Sequence, residues 1–228
     1  NDGDQDLYWL GSTEDAGEAP LGQVFPSAGR MLAGLGGGSF EDITVRAHLL
    51  DIVDVDYSRM GQGSSNHDLR ISAEFHENGK GVAKGDLNGD GYVDLIGTNS
   101  NGESFDTAGE REAASGPLFV WLNGGGGNNW ITLRLKGRMG IDGTGSNADA
   151  IGARVTLTAA GYGGEPVTQV QEVLGSSTFL SMSSLDLTFG LGSATSVDNV
   201  TIIWPGGLVQ RLDDLKINQV QDILEPAS

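Results

Sequence analysis

The second half of the chain alternates short apolar runs with turn residues. The runs ITLRL, ARVTLTA, DLTFGL and VTIIW are rich in Val, Ile, Leu and Thr, and Gly, Asn and Asp bound them. Such runs at close spacing are typical of β-strands joined by turns. We predict strands at 130–136, 151–160, 166–174, 184–191, 197–204 and 218–224, with turns at GYGGE, GSA and PGG. Six short strands in about 100 residues favour a β-sandwich.

The first half is patterned less regularly. Residues 11–29 and 57–80 are interpreted as loops or insertions, and the polar stretch 103–116 as an exposed excursion. The stretch NGGGGNN at 123–129 predicts a linker, because consecutive glycines disfavour a strand. The predicted organisation is an all-β protein in two parts, 1–125 and 126–228.

Composition narrows the classes of partner. Lys and Arg number 13 against 31 Asp and Glu, and the resulting net charge of −18 argues against nucleic acid and anionic membranes and suits divalent cations. The chain has no Cys, which excludes disulfides, thiolate metal sites and a Cys nucleophile. No run approaches the ~18 apolar residues of a membrane span, so we expect no membrane insertion.

The stretch GDLNGDGYVDLIG at 85–97 carries the clearest chemistry. Hard oxygen ligands recur at every second position, as a Ca²⁺ loop requires: Asp86, Asn88, Asp90, Tyr92 (through its main-chain carbonyl) and Asp94. An EF-hand needs a Glu at position 12 and flanking helices, but Gly97 stands there and the residues that follow are strand-like. We therefore predict a calcium site between two strands. The alternative is an Asx-rich turn without an ion.

The first residues repeat half of this motif. NDGDQDLYW aligns with GDGYVDLIG, so that Asp2, Asp4 and Asp6 fall on the positions of Asp90, Tyr92 and Asp94. We predict that these three acids are also metal ligands. A start inside the motif and the absence of an initiator Met favour a processed or truncated chain. Completion of the loop by another chain is the alternative.

Both halves resemble known families. GKGVAKGDLNGDGYVDLIGTNSNG resembles an FG-GAP (VCBS-type) repeat, the calcium-loop unit of integrin-like β-propellers, and GRMLAGLGGGSFEDITVRAHL resembles the hairpin that joins two repeats, without its usual Asn and Asp. NNWITLRLKG, SNADAIGARVTLTA, QVQEVLGSSTFLS, LTFGLGSATSVDNVTIIWPGG and VQRLDDLKINQ resemble, in order, the ASPIC/UnbV domain of the cartilage acidic protein family and of bacterial secreted proteins. The resemblance implies an extracellular or periplasmic calcium-binding protein with propeller-type blades, and no defined reaction.

Signals of an enzyme are weak. There is no Gly-x-Ser-x-Gly elbow and no HExxH. His48, His67 and His76 are interpreted as loop residues, and Asp54 and Asp56 as one acidic face of a strand. We predict that the chain is not an enzyme.

Other sites are conceivable. Trp9, Trp121, Trp130 and Trp204 could stack on sugar rings, but packing is favoured for Trp204 and, between the two parts, for Trp130. In the loop IDGTGSNADAIG, Asp142, Asn147 and Asp149 could hold a second metal, but Asx side chains capping a hairpin loop are favoured.

About two propeller-type repeats cannot close a ring, so open strand edges are expected. The sequence therefore predicts a calcium-stabilised extracellular structural or adhesion protein that pairs with protein partners or with copies of itself. The alternative is a carbohydrate- or protein-binding module of a larger secreted propeller protein.

Overall fold

The computed structural model of the chain describes residues 2–10, 12–15, 24–27, 29–49, 79–105, 111–160 and 165–227. In chain order the strands of these residues are β1 (Leu7–Trp9), β2 (Ser12–Asp15), β3 (Val24–Ser27), β4 (Arg30–Gly34), β5 (Phe40–Asp42), β6 (Gly79–Gly85), β7 (Asp94–Phe105) and β8 (Arg111–Trp121). They continue with β9 (Asn129–Lys136), β10 (Arg154–Ala160), β11 (Pro166–Glu172), β12 (Leu187–Gly192), β13 (Asn199–Ile203), β14 (Val209–Leu212) and β15 (Val220–Leu224). Residues Arg138–Gly140 form a single 3-10 turn. The predicted all-β class is confirmed, and no sheet of the described residues is closed.

The first half forms three antiparallel sheets, with strand orders β1-β4-β5, β2-β3 and β6-β7-β8. The first of these packs on the last, because Tyr8 meets Trp121 edge to face with ring centroids 5.7 Å apart, and Leu10 lies over Gly97. Two expectations are corrected here. Strands β2 and β3 lie within 11–29, and most of 103–116 belongs to β7 and β8, because these polar residues extend the β7–β8 pairing.

The second half forms a sheet of order β11-β10-β13-β14 and a sheet of order β12-β9-β15, in which β15 runs parallel to β9. Alternate residues of the central strands point into one shared core, since β10 alternates buried with more exposed positions. The core includes Ile131 and Leu133 of β9, Val155 and Leu157 of β10, Phe189 of β12, Val200 and Ile202 of β13, Ile223 of β15, and Trp204, which directly follows β13. Gln169 and Gln171 of β11 donate to the Gly190 and Thr188 carbonyls, which joins the two sheets at one side.

The six strands predicted for this half are confirmed as β9, β10, β11, β12, β13 and β15, with ends that shift by up to a few residues. Strand β10 begins after residue 153 because Ala150 and Gly152 adopt positive φ in a turn. Strand β14 was not predicted from the pattern. It is a four-residue strand that pairs with β13 after the PGG turn. Within the described ranges, no helix has the length and apolar character that crossing a membrane requires.

Candidate metal site

The loop between β6 and β7 folds around the carboxylate of Asp86. Oδ1 of Asp86 accepts the N–H groups of Gly89 at 2.7 Å and Asp90 at 3.1 Å, and Oδ2 accepts that of Gly91 at 2.8 Å. Gly89 and Gly91 adopt φ of +79° and +85°, a conformation that a Cβ disfavours. The glycines of the motif therefore let the chain curl around its first aspartate.

The next polar positions continue the curl. Asn88 Oδ1 accepts the Asp90 N–H at 3.1 Å, and Asp90 Oδ1 accepts the Tyr92 N–H at 2.9 Å. An amide hydrogen bond of 2.8 Å also joins Asn88 Nδ2 to Asp90 Oδ2. An ionised carboxylate has about four acceptor positions. Asp86 and Asp90 therefore retain lone pairs for a hard cation.

Asp94 has a different environment from the other acids of the loop. Its side chain is 1% exposed, and its two oxygens accept the N–H groups of Leu87 and Asn123, both at 2.7 Å. Asp94 therefore connects the start of the loop to Asn123, two residues after the end of β8. Its role as a metal ligand stays a prediction.

The aligned N-terminal stretch reproduces this contact. Asp6 Oδ1 accepts the Gly34 N–H at 2.9 Å. Leu7, the next residue, pairs with Leu32, and Gly34 lies two residues beyond that partner. In the same way Leu95, after Asp94, pairs with Trp121, and the residue that donates to Asp94 lies two beyond it. Asp6 and Asp94 thus occupy equivalent positions in two antiparallel strand pairs, β1–β4 and β7–β8.

Of the other two N-terminal acids, Asp4 lies beside the β4–β5 hairpin and Asp2 contacts Asp4. Asp2 Oδ1 accepts the Asp4 N–H at 3.1 Å, and the Asp4 carboxylate lies near Gly36. The hydrogen bonds described for these three acids do not reach residues 86–94, so the two predicted ligand sets are separate. The hairpin itself, predicted from its resemblance, is present as β4 and β5.

The predicted metal-ligating atoms of the 86–94 loop are all oxygens: carboxylates, one side-chain amide and one main-chain carbonyl. This is the chemistry of calcium and magnesium sites, since softer metals take imidazole or thiolate ligands. In the part of the chain that the structure describes, no three His, Cys, Asp or Glu side chains lie together at distances that would hold a metal ion.

The predicted linker is attached to this loop. Tyr92 Oη donates to the carbonyl oxygens of Gly126 and, at 3.0 Å, Asn128. Gly91 packs against Trp130, so that a Cβ on residue 91 would overlap the indole ring. The packing of Trp130 between the two parts of the chain is confirmed, and the 123–129 segment is fixed by contacts that its composition did not reveal.

The outer edge of β6 is covered by residues 178–184. Val82 N–H donates to Ser181 Oγ at 3.2 Å, and Val82 O accepts from Thr178 Oγ1 at 2.7 Å and from Ser181 Oγ. Further along, Ser184 N–H donates to Lys84 O at 2.9 Å. The open edges expected from the sequence therefore do not include that of β6. The Ser- and Thr-rich stretch STFLSMSS is the sequence feature from which this covering of β6 could have been predicted.

The loop with the second conceivable metal site is held by protein contacts. Asp142 accepts from Thr144 N–H at 3.1 Å and from the Arg138 guanidinium, and Asn147 exchanges two hydrogen bonds with the Ile151 main chain. Hydrogen bonds from Thr144 and Arg138 hold the pKa of Asp142 below its usual value. These contacts match the capped hairpin loop that the sequence favoured.

Glu225, which the sequence did not single out, anchors the same loop. Its side chain is 3% exposed and accepts from Ser146 N–H at 2.7 Å, Ser146 Oγ at 2.8 Å and Arg138 N–H at 3.1 Å. Burial by itself would raise the pKa of Glu225, but these hydrogen bonds outweigh it and lower the pKa below its usual value.

The remaining candidates are dispersed. Trp204 is 1% exposed and donates to Gln210 Oε1, which confirms core packing, whereas Trp9 is 45% exposed. His48 lies exposed in a turn after β5. The other candidates, His67, His76, Asp54 and Asp56, lie outside the described residues.

A comparison with protein families matches one domain. The family described as ASPIC and UnbV matches residues 143–228, a range that includes β10 to β15. The resemblance predicted for the second half is confirmed over this range. No curated protein matches the chain. The FG-GAP resemblance of the first half stays a prediction.

Proposed function

We propose that this chain is an extracellular calcium-binding structural or adhesion protein, in which Ca²⁺ stabilises the loop between β6 and β7. The observation that carries the proposal is the curled loop around Asp86, whose predicted donors are all hard oxygens. The equivalent contacts of Asp6 and Asp94 support an FG-GAP-like repeat. The ASPIC/UnbV match and the shared core of the last two sheets support a C-terminal β-sandwich on the extracellular or periplasmic side.

The residues that would hold the ion are Asp86, Asn88, Asp90 and Asp94 through their side chains and Tyr92 through its main-chain carbonyl. The cation supplies positive charge to a loop whose carboxylates otherwise repel one another. Because pairing of β6 with β7 is what brings the predicted ligands into one curled loop, we expect ion binding and folding of this hairpin to be linked.

Calcium titration by calorimetry and thermal unfolding, with calcium and with EDTA, tests this proposal. We expect calcium to bind and to raise the melting temperature of the wild type, and Asp86→Ala and Asp90→Ala to abolish both effects. Asp213→Ala removes one exposed acid of the C-terminal part and is the matched control for charge. An Asp86→Ala variant with unchanged calcium affinity and melting temperature would refute the site.

Association with proteins or with copies of itself has its own support. Leu118 and Val120 of β8, an outer strand of its sheet, and Leu122 just after that strand occupy alternate positions and are 60%, 49% and 59% exposed. Native mass measured by light scattering over a wide concentration range, with calcium and with EDTA, tests self-association. A monodisperse monomer in millimolar calcium would contradict it.

The alternative function is a carbohydrate- or protein-binding module of a larger secreted propeller protein. A glycan array tests whether the chain binds carbohydrate, and the half-exposed Trp9 is an aromatic side chain that could stack on a sugar ring.

A further inference from the structure

The loop that carries the predicted calcium ligands is attached to the segment 123–130 at three points. Asp94 Oδ1 accepts the Asn123 N–H at 2.7 Å. Tyr92 Oη donates to main-chain carbonyls of the same segment, at 3.0 Å to that of Asn128. Gly91 lies directly against the ring of Trp130. All three attachments fall in the second half of the loop, where the chain turns into β7.

These attachments determine the position of one predicted metal ligand, the main-chain carbonyl of Tyr92. The Tyr92 side chain is fixed by its hydrogen bonds to the glycine segment. The preceding residue, Gly91, is fixed by the indole of Trp130. The path of the chain between Asp90 and Asp94 therefore depends on contacts outside the loop.

Trp130 connects this path to the C-terminal core. It lies at the start of β9, the central strand of the β12-β9-β15 sheet, and the next residue, Ile131, is fully buried in the core. Its N–H donates to Asn218 Oδ1, and its carbonyl accepts the Asn218 N–H. The ring that supports the loop is thus held by the fold of the last two sheets.

We infer that the side chains of Tyr92 and Trp130 are positioning residues for the cation site, and that cation binding is coupled to the folding of the C-terminal sheets. The inference rests on the proposed calcium site. Neither side chain supplies a ligand atom, so both act through the backbone of the loop. Coupling of this kind is reciprocal: if the C-terminal sheets favour ion binding, the ion stabilises those sheets by the same factor.

Calorimetric calcium titration of Tyr92→Phe and Trp130→Ala tests the positioning role. We expect Tyr92→Phe to weaken calcium binding about fivefold, the equivalent of one net hydrogen bond, and Trp130→Ala to weaken it at least as much. Tyr8→Phe and Trp9→Ala make the same chemical changes away from the loop and are expected to leave the affinity unchanged. Circular dichroism selects conditions in which every variant is folded, and Trp130→Phe replaces Trp130→Ala if the latter does not fold.

Hydrogen exchange tests the coupling with a readout that a local loop effect would not move. We expect calcium to slow exchange of the amides of β9 in the wild type, and to slow it less in Trp130→Ala. Protection confined to residues 85–95 would overturn the coupling.

The outcomes separate the two proposals. A wild type that binds no calcium would overturn the calcium site itself. A wild type that binds calcium, with Tyr92→Phe and Trp130→Ala binding as tightly as their controls, would leave the site in place and overturn this inference.

Discussion

Replacing Gly91 by alanine is expected to destabilise the protein more than the same change at Gly89, although both backbones have similar positive φ, +85° and +79°. A methyl group at either position brings the left-handed strain of about 1–2 kcal/mol. At Gly89 it would enter open space, whereas at Gly91 it would overlap the ring of Trp130. Overpacking of this kind costs about 1–3 kcal/mol more. We expect a loss of unfolding free energy of about 1–2 kcal/mol for Gly89→Ala and about 2–5 kcal/mol for Gly91→Ala.

Urea unfolding followed by circular dichroism, in EDTA so that ion binding does not contribute, measures both changes. Repeating both in a Trp130→Ala background completes two double-mutant cycles. We expect a coupling of about 1–3 kcal/mol between Gly91→Ala and Trp130→Ala, because removal of the ring makes room for the methyl group. For Gly89→Ala we expect no coupling. Equal losses at the two glycines, or no coupling at Gly91, would refute the packing of this loop on β9.

Three further predictions concern single buried groups. Tyr8→Phe removes a buried hydroxyl that has no hydrogen-bond partner among the described residues, so thermal unfolding should show stability unchanged or raised by up to about 1 kcal/mol; a clear loss would contradict this. In EDTA, Asp94→Ala should cost about 2–3 kcal/mol in urea unfolding, because it strips two N–H groups of their acceptor, while the exposed Asp90→Ala should cost little; equal costs would contradict this. The folded-state pKa of Glu225 is lowered, so the ionised side chain contributes its full stabilisation above the ordinary pKa of 4.5. This stabilisation is lost as the pH falls through the lower folded-state pKa. The stability advantage of wild type over Glu225→Gln should therefore vanish in acid, and an advantage that persists there would contradict the assignment.

The strands of the second half could be predicted because their apolar residues alternate and their turns contain glycine. Strand β14 could not, since four residues carry too little pattern and its pairing with β13 depends on the turn before it. The prediction of an exposed excursion at 103–116 was wrong for a related reason. These residues are polar, and their strand conformation comes from pairing between β7 and β8 rather than from an apolar face.

The predicted ligand positions of the candidate site follow from spacing within nine residues, so they can be read from the sequence. The contacts that support the loop cannot be read in this way, because they join residues distant in the chain: Tyr92 contacts the glycine segment, and Trp130 contacts Gly91. The glycine segment was misleading too. Glycine composition predicts a free linker, but these glycines expose main-chain carbonyls and leave room for the Tyr92 ring, and both properties make the segment a docking surface.

The covered edge of β6 has a consequence for how sheets could grow. A sheet with two open margins can add strands on both sides without limit, which is the geometry of a fibril. In the described residues the β6 margin is closed by the 178–184 segment, and β8 forms the opposite margin. Two chains that pair through β8 would therefore form a twofold dimer in which both outer margins of this sheet are closed, so that this sheet could not grow beyond two chains.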